Sequence, residues 1–202
     1  MATRTKIKVT PNPEQPAPTL AMHPKKFAMW LFIVSVIMLF GGLTSAYIVR
    51  RAEGNWLEFE LPKIFYYSTA IIVISSLTMH WAYISAKKDE LGKLKIALWL
   101  TFLLGITFLV TQWMGWVELV NMGVFFAGSQ SNPAGSFLYV LSGLHGLHLI
   151  GGLIFLLLII IAAIRLQIHG KAMVRMEMCA TYWHFLDLLW VYLFVFLLVN
   201  GI

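Results

Sequence analysis

The sequence predicts an all-α, polytopic membrane protein with five transmembrane helices, its N-terminus in the cytoplasm and its C-terminus outside. Three observations carry that reading. The chain has 202 residues, of which 59% are hydrophobic and 12% charged, whereas a soluble domain is about 45–50% apolar and about 25% charged. The apolar residues are gathered into five runs, each long enough at about 1.5 Å per residue to cross roughly 30 Å of hydrocarbon. Lys and Arg are divided very unequally between the segments that join those runs.

Residues 1–24 are polar and include Pro11, Pro13, Pro16, Pro18 and Pro24. They read as an extended, mobile tail that neither continues a helix nor buries apolar surface. Residues 25–202 form the membrane domain. Its first span, Phe27 to Val49, is too long for the apolar region of a secretory signal and shows no small-residue cleavage site. Four further spans are expected at Ile64 to Ala86, Leu94 to Val117, Phe137 to Ile164 and Met178 to Val199. The connections, Arg50 to Lys63, Lys87 to Lys93, Glu118 to Ser136 and Arg165 to Glu177, are too short to be domains.

Orientation follows from counting basic residues by side. Twelve fall on one side: Arg4, Lys6, Lys8, Lys25 and Lys26 in the tail, Lys87, Lys88, Lys93 and Lys95 around the second connection, and Arg165, Lys171 and Arg175 around the fourth. Only three, Arg50, Arg51 and Lys63, fall on the other. The positive-inside rule places the richer side in the cytoplasm. The formal charge of +6 is thereby accounted for without nucleic acid as a partner. Cys179 is the single cysteine, so no disulfide within the chain, thiolate zinc site or covalent haem attachment is available.

Ionisable groups inside spans are costly and are the default places to look for function. The fourth span holds His145 and His148, three apart and so on one helical face, among Gly143, Gly146, Gly151 and Gly152. The fifth holds His184 and Asp187, framed by Trp183 and Trp190. His80 and Tyr83 lie near the end of the second span, and Gln112 and Glu118 near the end of the third. Counting helical rise puts His148 about 18 Å and Asp187 about 20 Å from the outer ends of their spans. The two therefore meet at similar depth, and a buried carboxyl needs a partner. An interhelical clasp between Asp187 and a histidine of the fourth or fifth span is the expectation. A haem clamped by His148 and His184, about 6 Å apart in depth, is the sharper alternative. Against it stands the Asp beside one candidate ligand, which already supplies a partner.

The glycines at Gly41, Gly42 and Gly143 to Gly152 read as close-packing positions between helices. Trp56, Phe59, Tyr66, Tyr67 and Trp81 read as interfacial belt residues. Ser35, Thr44, Ser75, Ser76, Thr101, Thr107 and Ser142 are expected to make helix–helix hydrogen bonds. No span has an interior proline, which leaves a solute transporter with broken helices unsupported.

The string His145-Gly146-Leu147-His148-Leu149-Ile150-Gly151-Gly152, followed by Tyr182-Trp183-His184-Phe185-Leu186-Asp187-Leu188-Leu189-Trp190 with Glu177 before it, resembles subunit III of the haem-copper terminal oxidases. The resemblance runs along all five spans, with Gln112 and Glu118 at the end of the third. It implies an accessory subunit, without metal or haem of its own, that packs on catalytic subunit I of a respiratory oxidase in a bacterial cytoplasmic membrane. Haem and copper are then expected in the partner subunits. It also implies a V-shaped pair of helix bundles that holds phospholipids, supports proton uptake and protects the oxygen-reducing, proton-pumping centre.

His145, His148, Glu177, His184, Asp187 and Trp190 become the expected clasp, lipid or subunit contacts, with no catalytic residue among them. Five spans match the quinol oxidases and some bacterial cytochrome c oxidases, so the electron donor stays open between these types. Many members carry a Ser-Glu pair in the first shared span, where this chain has Ser35 and Val36, and an acidic residue where it has Gly115. The roles of those carboxylates do not transfer. A haem-bearing, quinone-reactive anchor and a nitric oxide reductase accessory protein are the remaining alternatives.

Overall fold

The computed structural model describes residues 24–54, 56–57, 59–128, 131–165 and 171–200, residues 171 and 172 by their backbone alone. Among the described residues there are five helices: α1 (Pro24–Ala52), α2 (Ile64–Lys87), α3 (Leu91–Asn121), α4 (Pro133–Ile164) and α5 (Lys171–Val199). All five are long and apolar enough to cross a membrane. The expected tail lies outside the described residues apart from Pro24, which opens α1.

Every helix reaches or passes the ends expected from hydropathy. Lys93 and Lys95 lie in α3, Glu118 in the last turn of α3, and Arg175 and Glu177 in α5. Hydropathy marks only the part of a helix that must avoid water. The polar end turns remain helical because their backbone groups bond within the segment.

The helix ends show how the chain turns. Pro133 opens α4, where the missing N–H costs nothing, and the Asn132 side chain accepts from Ala134 N–H at 3.0 Å as the cap. The same Asn132 Oδ1 accepts from Leu57 N–H at 3.1 Å, tying the α1–α2 connection to the start of α4. At the end of α3, Gly123 takes φ of 81°, and Val124 N–H reaches back to the Leu119 carbonyl at 2.9 Å. That backbone is left-handed, and glycine adopts it without a Cβ clash. The end of α2 has the same pattern with Asp89 at φ of 54° and Glu90 N–H on the Ser85 carbonyl at 3.1 Å. Only three residues separate α2 from α3.

The packing has two parts. α2 packs on α3 and α5, and α4 packs on α3 and α5, so these four helices close a ring. Among the described helices, α1 stands outside the ring and packs on α4 and α5. Its buried residues, Ile33, Val36, Phe40, Thr44 and Tyr47, recur every three or four positions as one narrow stripe.

Candidate functional site

Two tryptophans from α5 bind the ring together. Trp183 is fully buried and donates its Nε1–H to Ser75 Oγ on α2 at 3.0 Å. The far side of its indole presses on two glycines. A Cβ placed on Gly105 of α3 would lie 2.9 Å from Trp183 Cη2, and one placed on Gly152 of α4 would lie 3.5 Å from Trp183 Cζ3 and 2.9 Å from Leu186 Cδ1. One indole thus touches all three other helices of the ring.

Trp190 repeats the arrangement two turns on. Its Nε1–H donates to Thr69 Oγ1 at 3.0 Å, and its ring stacks on Phe65 of α2 with centroids 6.3 Å apart and planes 17° apart. It meets Phe108 of α3 edge-on at 5.0 Å and His145 of α4 at 5.1 Å. Seven residues of helix separate the two indoles, about 10 Å. The spacing of Trp183 and Trp190 in the sequence is therefore the spacing of two cross-braces.

The histidines do not converge. His145 faces into the ring, fully buried, between Trp190 and Phe108, whose ring lies 5.8 Å away. Among the described residues neither of its nitrogens has a hydrogen-bond partner. His148 turns the other way, toward α1, with Phe32 at 6.2 Å and Phe40 at 5.8 Å. Its Nδ1–H donates to the Leu144 carbonyl of its own helix at 2.7 Å. Two residues three apart share a helical face, but that face is wide enough to straddle two interfaces.

His184 pairs with Ser76 Oγ through Nδ1 at 2.7 Å, and its ring lies 6.0 Å from that of His80. Asp187 is 4% exposed, and neither carboxyl oxygen has a partner at hydrogen-bond distance among the described residues. The expected hydrogen bond from Asp187 to a histidine is therefore not formed. Ser76 of α2 takes His184 instead, His148 bonds to its own helix, and His145 lies against Phe108 and Trp190 with both nitrogens unpartnered among the described residues.

Glu177 does form a clasp, with a partner that spacing did not indicate. It meets Lys26 at 2.7 Å, both groups partly exposed, and the pair joins the start of α1 to α5. Gln112 is buried and donates from Nε2 to Ser68 Oγ at 3.0 Å. Glu118 is exposed. Among the described residues no three His, Cys, Asp or Glu side chains gather as a metal-binding group.

Sequence reasoning missed Ser68 and Thr69, which serve Gln112 and Trp190. Their signal was the repeat of a hydroxyl pair seven residues apart on α2, Ser68-Thr69 and Ser75-Ser76. It also misplaced the close-packing glycines. Gly152 fits, but Gly41, Gly42 and Gly151 have nothing near a Cβ, and Gly143 and Gly146 only ordinary contacts. The tight positions are Gly105, Gly115 against Phe65, and Gly135 against Val124. Trp56 is no free belt residue. It packs on Tyr47 at 4.7 Å and Phe137 at 6.4 Å. Tyr66, Tyr67 and Trp81 are exposed as expected. Of the hydroxyl residues, Thr44, Ser75, Ser76, Thr101 and Ser142 link helices, whereas Ser35 and Thr107 bond to their own helix.

Comparison with known proteins gives the arrangement its context. Residues 55–202, beginning just after α1, match the family described as cytochrome c oxidase subunit III. The chain is 29% identical to cytochrome c oxidase subunit 3 of Thermostichus vulcanus over 187 residues, covering 88% of this chain and 89% of that one. It is 34% identical to a probable cytochrome c oxidase subunit 3 of Nocardia farcinica, covering 81% and 82%. It is 31% identical to cytochrome bo(3) ubiquinol oxidase subunit 3 of Pseudomonas aeruginosa, covering 87% and 84%.

Proposed function

Because the chain belongs to the cytochrome c oxidase subunit III family, we propose that it is a non-catalytic accessory subunit of a respiratory haem-copper oxidase, one that binds no cofactor itself. It docks on catalytic subunit I, binds membrane phospholipids, and supports assembly, proton uptake and stability of the oxygen-reducing, proton-pumping complex. The setting is a bacterial cytoplasmic membrane, with the N-terminus inside, as the distribution of Lys and Arg favours. The observation that carries the reading is the family match across the whole ring. The geometry agrees with it. His145, His148 and His184 face three different surroundings, the first packed among aromatic rings and the other two hydrogen-bonded, so that the two strings are used to brace helices.

A cytochrome c oxidase is the first reading of the complex. A quinol oxidase is the second, supported by the Pseudomonas aeruginosa relative, whose identity is comparable to that of the cytochrome c oxidase relatives.

Retention of a tagged chain in mild detergent, with an optical spectrum and mass spectrometry of what it holds, tests the proposal. A haem-copper subunit I should arrive with haem absorbance, and the absorbance should leave when that subunit is stripped away. Haem absorbance that stays with the isolated chain would overturn the proposal and make His145, His148 and His184 ligand candidates. Oxidation of reduced cytochrome c or of ubiquinol by the retained complex then separates the two readings.

A further inference from the structure

We propose that His145 of α4 and Gln112 of α3 form a binding site for internal water inside the ring of α2 to α5. Both residues are buried, His145 at 0% and Gln112 at 4% exposure. Both ring nitrogens of His145 and Gln112 Oε1 have no hydrogen-bond partner among the described residues. Exchanging the amide atoms of Gln112 does not help, since one of them must face Ser68 and the other is then left over.

The two side chains sit at the same depth. α3 and α4 run antiparallel, and Trp116 Nε1–H donates to Ser142 Oγ at 3.0 Å, which fixes their register. One turn from Trp116 is Gln112, and one turn from Ser142 in the matching direction is His145. Phe108, whose ring packs on His145, lies one turn from Gln112 on the same face of α3.

Protein hydroxyls at this depth are already committed on both sides. Ser142 donates to the Leu138 carbonyl and accepts from Trp116. Ser68 and Thr69 both donate to the Phe65 carbonyl, and they accept from Gln112 and Trp190. Neutral imidazole offers one donor and one acceptor, and the amide oxygen accepts. A water molecule supplies what both lack, because it donates to Gln112 while pairing with His145. Buried water is the usual partner of polar groups left over inside a protein.

The test is ordered-water density in the chain purified with the partners it retains, at a resolution of about 2 Å. Density within about 2.6–3.2 Å of a His145 nitrogen and of the Gln112 side-chain oxygen is expected. No density there, or a direct bond from His145 to protein or lipid, would overturn the proposal. The variant His145→Phe gives a second readout through its sign. With water bound, it strands Gln112, lowers the melting temperature by a few degrees, and is partly rescued by Gln112→Leu. If the site is dry, His145→Phe removes an unpaired polar group and raises the melting temperature, which refutes the site. Should His145→Phe fail to assemble, the wild-type density decides alone.

Discussion

The ring of α2 to α5 and the seam where α1 meets it are built from the same residue types, yet they hold by different means. In the ring, Trp183 and Trp190 each reach three neighbouring helices, and their N–H groups are taken by Ser75 and Thr69. Glycines leave room for side chains from neighbouring elements, which a Cβ would strike. Along α1, contact is made at intervals. It rests on the Lys26–Glu177 pair at one end, Phe32 and Phe40 around His148 in the middle, and Tyr47 with Trp56 and Phe196 at the other end. Tyr192 adds one hydrogen bond, 3.1 Å to Thr44. Between these points a groove of about 470 Å³ opens, lined by Ile37, Gly41, Leu188 and Tyr192 among others. Interdigitation of side chains makes the ring one unit, whereas α1 is fastened at separate points and leaves room beside them.

The same substitution placed in both regions should break the symmetry between them most strongly. Gly105→Ala drives a methyl into Trp183 and Leu153, and overpacking of this kind costs about 1–3 kcal/mol. Gly41→Ala meets nothing, and a helix gains roughly 0.5–1 kcal/mol from that exchange. Melting of the chain with its retained partners should show the first variant losing stability and the second keeping or gaining it. Equal effects would mean that α1 packs as tightly as the ring.

Next in size is Ser75→Ala. It leaves the Trp183 N–H buried without an acceptor, at a cost of about 1–3 kcal/mol. Thr44→Val, which removes the acceptor of the partly exposed Tyr192 hydroxyl, should cost less, about 0.5–1.5 kcal/mol. Thermal unfolding of the two variants side by side checks the order.

Asp187 sharpens the comparison within the ring. A carboxyl without a hydrogen-bonded partner adds little by itself, so Asp187→Leu should assemble better than Asp187→Ala, which opens a gap beside Trp183 and Trp190. Equal assembly yields for the two variants would refute this.

The smallest effect is expected at the clasp of α1. Lys26→Ala or Glu177→Ala should cost at most about 1 kcal/mol, because the pair is partly exposed. The loss should shrink as salt rises. The exchange Lys26→Glu with Glu177→Lys should restore cross-linking between cysteines placed at the facing ends of α1 and α5. A crosslink yield unchanged by any of these substitutions would show that the aromatic contacts suffice.

Much of this was legible in the chain itself. Five apolar runs gave five helices because a membrane accepts little else. The two strings in α4 and α5 marked the residues that brace the ring, since histidine, aspartate and tryptophan at mid-span depth are rarely idle. What could not be read was partnership. Spacing puts His145 and His148 on one face, but only the crossing of α4 with both α1 and α5 decides that one looks inward and the other outward. Likewise Asp187 and His184 are adjacent turns of one helix, yet the serines of α2 determine which of them is satisfied. Gly105 and Gly115 carry no local sign of crowding, because what crowds them arrives from other helices.

The short turn after α2 has a consequence for the rotational phase of the bundle. Three residues, pinned by Asp89 in a left-handed conformation, leave no slack between α2 and α3. One residue inserted there would turn α3 by about 100° about its axis. Thr101, Phe108 and Gln112 would swing away from their partners, and the residues that precede them, Leu100, Thr107 and Thr111, would take their places. The α1–α2 connection, with eleven residues from Glu53 to Lys63 between its helices, can absorb such a change. The turn at Lys88–Glu90 is thus the angular reference from which the ring is set.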